Sequence, residues 1–121
     1  FKLQVDFFEK YNHFFSPPFE NDGVSTAWLA FPILIKKSAP FTRKEFQIYL
    51  EERNIQTRVV FTGNILRQPM CKNIVRRITP DGLEKTDAVM ERGVLLPLHH
   101  GMTNQMFERL HDTIETFIKR Y

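Results

Sequence analysis

The sequence has one cysteine, Cys71, so no disulfide can close within the chain, and a disulfide-stapled secreted scaffold is excluded. A reducing compartment, the cytoplasm, is the expectation. No apolar run approaches the length of a membrane span, and no secretory leader pattern is visible. Charge of one sign is also scarce: the formal net charge is +3, too small and too scattered to predict a nucleic-acid partner. It remains compatible with an anionic ligand. There are only five glycines, and none falls in a phosphate-cradling loop. The chain also lacks a serine elbow and an HExxH pair, so the common hydrolase and metalloprotease signatures are excluded.

What the chain does have is phenylalanine, twelve in 121 residues. That abundance predicts a core or a buried interface built on aromatic rings. The length suits one domain. The chain starts with Phe1 inside a helical pattern, so it is expected to be part of something larger. Phe7, Phe8, Tyr11, Phe14 and Phe15 recur at three- and four-residue spacing, which predicts one helix with a five-ring face, stopped by Ser16-Pro17-Pro18. A face of that size is expected to be covered by the domain's own sheet or by a second copy.

Trp28 to Ile35 is a continuous apolar run and predicts a buried strand, with an unpaired side or a bulge at Pro32. Thr42 and Glu45 fit a capping box, and Phe41 and Phe46 stand at staple positions around it. The helix that follows should bury Phe46, Tyr49 and Leu50 and close at Asn54. Thr57 to Phe61 is β-branched and aromatic and reads as the central strand. Asn73 to Ile78 reads as a short edge strand, Pro80-Asp81-Gly82 as a turn, and Leu83 to Arg92 as one helical turn packing Ala88, Val89 and Met90. Gly93 to Leu98 is a second buried-strand candidate that delivers His99 and His100. Thr103 caps the last helix, with Phe107, Leu110, Ile114, Phe117 and Ile118 as its core face. The pattern is a small α/β sandwich, helices over a mixed or antiparallel sheet.

Thr62-Gly63-Asn64 breaks the central strand pattern, and Arg67, Gln68 and Pro69 follow. Gly63 and Asn64 tolerate left-handed backbone angles, and Arg67 and Gln68 are rich in hydrogen-bond donors. Two readings stand: a ligand-facing loop held by a strand end, or a plain turn with a solvated Arg. Adjacent His99 and His100 in a strand would point to opposite faces and could not easily share a metal. Two readings stand for them: one faces a ligand, or one packs while the other is wet. His13 and His111 sit beside polar residues and read as solvated helix surface. Cys71 has no base beside it and reads as an ordinary thiol. Arg76-Arg77 reads as a solvated edge that adds positive charge near Arg67.

The segments Phe31-Pro32-Ile33, Phe41 to Glu52, Asn54 to Arg58 and Phe61 to Pro69 together resemble the C-terminal small domain of the DegT/StrS sugar aminotransferase family. The Gly-Asn-x-x-Arg-Gln-Pro element at 63–69 resembles the nucleotide-sugar 3-dehydrase branch. Lys85 to Met90 and the strand ending at His99 to Thr103 are similar to that branch's later pattern. Ordinary aminotransferases of the family carry a His-Tyr-x-Pro-Leu-His element where this chain has Val60 to Asn64, and that departure favours the dehydrase branch. The resemblance implies a fold-type-I enzyme dependent on pyridoxal or pyridoxamine phosphate, with residues 1–121 as its small domain and 1–15 as an inter-domain helix. It implies that the cofactor and the catalytic base lie in a separate large domain, so that this fragment alone holds no cofactor and is inactive. It implies a nucleotide-linked 4-keto-6-deoxyhexose as substrate, a homodimer, and an iron–sulfur reductase as a candidate partner, in lipopolysaccharide synthesis. Asn64, Arg67, Gln68 and His100 are the substrate-binding residues it suggests. The competing readings are a sugar-nucleotide aminotransferase small domain and a non-catalytic binding or dimerisation module.

Overall fold

The computed structural model describes residues 1–121. The elements run α1 (Lys2–Glu9), β1 (Phe15–Ser16), β2 (Phe31–Ile35), α2 (Arg43–Glu51), β3 (Arg58–Val59), α3 (Glu84–Arg92), β4 (Gly93–Leu96) and α4 (Asn104–Ile118). Two short 3-10 turns, Ile65–Arg67 and Pro69–Cys71, lie between β3 and α3. The sheet order is β1-β2-β4-β3 and every neighbouring pair is antiparallel. That settles the sheet as antiparallel rather than mixed.

Strand β2 alternates as a one-sided strand should: Phe31, Ile33 and Ile35 are buried, and Pro32 and Leu34 are not. Phe31 sits opposite Leu96, and Ile33 opposite Val94, on the other central strand. On the far side β1 pairs only with Leu34 and Ile35, so Pro32 lies beyond that ladder and its missing N–H costs nothing. Helices α1, α2 and α4 close over the inward face. Phe7 and Phe8, then Phe46, Tyr49 and Leu50, then Leu110, Ile114 and Phe117 join one core with the strand residues. Around Phe117 the rings meet at angles: Phe41 and Phe46 approach it edge-on at 4.9 and 5.3 Å.

The opening aromatic run differs from its spacing. Helix α1 stops at Glu9, a chain of turns follows, and Phe15 starts β1. Phe15 still reaches the core, because an edge strand beside Ile35 points it inward at 5.2 Å from Phe8. Phe7, Phe8 and Phe15 are buried in the domain's own core, with Tyr11 and Phe14 packed at its margin.

The capping box on α2 is complete: Glu45 N donates to Thr42 Oγ1 at 3.2 Å, and Thr42 N donates back to Glu45 at 2.7 Å. Thr103 caps α4 by accepting from Met106 N at 3.3 Å. Asn54 ends the α2 region in the left-handed conformation, φ 58°. Three other expectations change. Thr57 to Phe61 is not central; only Arg58–Val59 forms a strand, at the sheet edge, with both residues exposed. Asn73 to Ile78 forms no strand, and Val75 is fully exposed. Leu83 to Arg92 holds a nine-residue helix, α3, not a single turn, and none of its residues is buried.

Helix α3 stands apart from the three-helix layer. It runs straight into β4, and a Cβ on Gly93 would lie 2.5 Å from the Val89 carbonyl and 2.8 Å from Val60. That close approach seats α3 against the chain leaving β3. Val89 and Val60, with Pro32 and Leu34, line a groove of about 450 Å³.

Candidate functional site

The segment after β3 turns sharply. Phe61 holds φ 48° and Gly63 φ 67°. For glycine the left-handed region is cheap; for phenylalanine it is not. A Cβ on Gly63 would overlap the Met90 side chain, so the loop lies directly on α3. Asn64 then caps the first 3-10 turn: its Oδ1 accepts from Leu66 N at 3.0 Å. Its Nδ2 donates to Oδ1 of Asp87 at 2.7 Å. Arg67 donates to the same carboxylate in a fork, Nε to Oδ1 at 3.0 Å and Nη2 to Oδ2 at 2.6 Å. Gln68 donates from Nε2 to the Thr62 carbonyl at 2.9 Å and ties the loop to its own start.

One carboxylate therefore accepts three bonds, from two side chains of the loop. Its pKa falls to about 2, first because of the Arg67 bonds and then because of Asn64. The Arg67 guanidinium is pushed up in turn, by the bonds it donates to Asp87 first and by the nearby Glu91 last. Charge-assisted, bidentate bonds of this type are the strongest side-chain hydrogen bonds available. The bracket fixes a loop of otherwise exposed residues against α3.

Of the four residues singled out by sequence, three come together and one does not. Asn64 is buried, at 1% exposure, with both ends of its amide engaged. Arg67 is open, its side chain 55% exposed, and its Nη1 bonds to no protein atom. Gln68 is half-buried beside it. His100 lies past the end of β4 in an exposed turn with His99 and makes no bond to the bracket. Neither histidine is on a strand, so the opposite-faces argument does not apply; His99 Nδ1 instead accepts from Gly101 N at 3.1 Å.

The residue that sequence reasoning missed is Asp87. Its only local signal is a carboxylate in the first turn of α3. Arg76 is not a free edge cation: Nη1 donates to the Cys71 and Ile74 carbonyls at 3.1 and 3.3 Å. Cys71 is a buried thiol. His111 departs from the solvated-surface reading. It lies flat on Phe7 and bonds Gln4.

These side chains do not make a cradle for pyridoxal phosphate. Every lysine is exposed except the half-exposed Lys36. No buried side-chain nitrogen or oxygen is left without a partner, so nothing inside the fold waits for a phosphate or a pyridine ring.

The sequence pattern of the DegT/DnrJ/EryC1/StrS aminotransferase family matches residues 5–115. Over 94 residues, 78% of this chain and 20% of the relative, it is 36% identical to the dTDP-4-dehydro-2,6-dideoxy-D-glucose 3-dehydratase of Saccharopolyspora spinosa. It is 29% identical over 104 residues to the lipopolysaccharide biosynthesis protein RfbH of Salmonella typhimurium, covering 86% of this chain and 24% of that protein. The chain thus spans about a fifth to a quarter of the length of these curated relatives. The fold is similar to part of the GDP-4-keto-6-deoxy-D-mannose-3-dehydratase of E. coli, solved with bound hydrated PLP. That likeness has a TM-score of 0.76 at 18% identity and covers 93% of this chain and 29% of that one. A DegT DnrJ EryC1 StrS aminotransferase from Brucella abortus is similar at TM-score 0.76 and 17% identity, over 96% of this chain and 29% of that one.

Proposed function

Because this chain belongs to the DegT/DnrJ/EryC1/StrS aminotransferase family, we propose that it is the C-terminal small domain of a nucleotide-sugar 3-dehydratase dependent on pyridoxal or pyridoxamine phosphate. Its place is in deoxysugar synthesis, with lipopolysaccharide O-antigen as the destination. The observation that carries this reading is the 36% identity to a protein named as a 3-dehydratase. In this reading residues 1–15 join the small domain to a large domain, and the large domain holds the cofactor and the base. The cofactor supplies the electron sink for loss of the 3-hydroxyl. The enzyme works as a homodimer in the cytoplasm, with an iron–sulfur reductase as its candidate redox partner.

The small domain's share is orientation of a nucleotide-linked 4-keto-6-deoxyhexose. Arg67 is the anion-binding residue, since a guanidinium matches phosphate oxygens in a fork. Gln68 sits beside it with its amide oxygen available to a sugar hydroxyl. Asn64 belongs to the same site from beneath, shaping the loop. His100 is a fourth, separate contact at the end of β4.

The test is turnover by the enzyme that contains this domain, supplied with pyridoxamine phosphate and a nucleotide-linked 4-keto-6-deoxyhexose. A product that has lost its 3-hydroxyl is expected. An amino sugar that keeps the 3-hydroxyl would replace this reading with an aminotransferase.

A further inference from the structure

A guanidinium has five N–H donors on two usable edges: a side edge of Nε and Nη2, and an end edge of Nη1 and Nη2. In this structure Asp87 takes the side edge, through Nε at 3.0 Å and Nη2 at 2.6 Å. Two of the five N–H groups are used. Three remain, two of them on the end edge and one from Nη1 on the Cδ side, and the side chain that carries them is 55% exposed. Bracing the loop and binding an anion are thus separate jobs for separate edges of one side chain.

The carboxylate is itself anchored. Asn64, buried at 1% exposure, donates to Oδ1 at 2.7 Å, and its own Oδ1 is fixed by Leu66 N. Asp87 sits in the first turn of α3, whose exit into β4 is fixed by the Gly93 contact. The guanidinium plane is therefore set by a chain of bonds that leads back to the sheet. A long, flexible side chain held in this way has lost its rotamer freedom before any ligand arrives, and that ordering cost is removed from binding.

We propose that Asp87 is a positioning residue for ligand binding by Arg67: it occupies the side edge of the guanidinium and presents the end edge to a diphosphate. The inference rests on the reading of Arg67 as the anion-binding residue, and it adds the residue that makes Arg67 selective in direction. A carboxylate beside an anion site lowers the local positive potential, so Asp87 is costly to anion binding by charge alone. Its presence there makes sense when orientation outweighs that cost.

The two effects have opposite signs, which gives the test. On electrostatics alone, Asp87→Asn removes a negative charge and should tighten binding of a polyanion. If Asp87 positions Arg67, the same change weakens it. The probe is inorganic pyrophosphate, titrated by calorimetry into the enzyme that contains this domain. Expected results are an affinity loss of about tenfold for D87N, a partial recovery in D87E, and no loss in E91Q, which removes a neighbouring charge without touching the fork. D87E also serves should D87N fold poorly, because it keeps the carboxylate and moves it by one methylene: weaker binding than in the parent is expected there, and binding as tight as the parent's overturns the inference. Unchanged or tighter binding in D87N, with R67A weakened, overturns the inference alone. Parent protein that binds no pyrophosphate, or R67A that binds as tightly as parent, overturns the Arg67 assignment and the inference with it.

Discussion

The imidazole of His111 lies flat against the ring of Phe7, centroids 3.9 Å apart and planes 4° from parallel. Its Nε2 is 3.0 Å from Oε1 of Gln4, a fully buried amide whose Nε2 faces the Pro97 carbonyl at 3.5 Å. Three elements meet there: α1, α4 and the chain leaving β4. Burial pushes the His111 pKa down from its ordinary value, Glu115 and Asp112 pull the other way, and Lys10 adds to the depression.

That pair makes stability depend on pH near neutrality. The unfolded chain binds a proton at His111 more readily than the folded one does, so acid favours unfolding. The contribution is complete above the unfolded value of about 6.5 and is lost as pH falls from there through the lower folded value. Melting temperature should fall as pH drops below about 6.5, and His111→Gln should flatten that fall. An equal slope in both proteins would remove His111 from the account.

The Arg67–Asp87 fork has its own acid signature. The Asp87 carboxyl is held at about 2, with the Arg67 bonds as the largest cause. Its folded value lies below the unfolded one, so the stability it lends is present above about 3.9 and lost as pH falls toward the folded value. A carboxyl-carbon NMR titration should leave Asp87 ionised at pH values where a free aspartate side chain has begun to protonate. In Arg67→Ala its titration should move up toward the ordinary range, and only part of the way, because the Asn64 bond remains.

The cap and the staple on α2 separate by size. Thr42→Ala removes the bond to Glu45 N and should cost about 1 kcal/mol. Phe46 is fully buried, with ring neighbours Phe15, Phe41 and Phe117. Phe46→Ala should cost roughly 3–5 kcal/mol. A denaturant titration that found the two losses equal would contradict the division between a surface cap and a core ring.

The ease with which α2 reads from sequence has a physical source. A capping box is decided within four residues, and the staple and the Phe46, Tyr49, Leu50 stripe within ten. The same holds for Thr103 and α4. Strand position is different. The residues of Thr57 to Phe61 favour a strand anywhere in a sheet, and only β4's choice of partners made Arg58–Val59 an edge. Phe14 and Phe15 fit a helical spacing and a strand entry equally well, and pairing of Phe15 with Ile35 decided between them. The Asn64, Arg67, Gln68 loop was visible from its residue types, but Asp87 lies twenty residues beyond Arg67. Nothing local to Asp87 announces that partner, since the fold alone brings α3 under the loop.

The contact between Gly63 and Met90 is the mechanical base of that loop, and it can be tested without a ligand. Gly63 holds φ 67°, a left-handed angle that costs a residue with a Cβ about 1–2 kcal/mol. A Cβ there would also overlap Met90, whose side chain is flexible and half-buried and can give way in part. Gly63→Ala should therefore destabilise by more than the backbone term alone. Met90→Ala opens the space, so the double variant Gly63→Ala/Met90→Ala should lose less than the sum of the two single changes. What remains after that coupling is the backbone cost, and in the Met90→Ala background Gly63→Asn should show a smaller one than Gly63→Ala, because asparagine tolerates the left-handed region better than alanine does. Strict additivity in a double-mutant cycle would mean that Gly63 is needed for its backbone angle and that the loop does not rest on α3 at Met90.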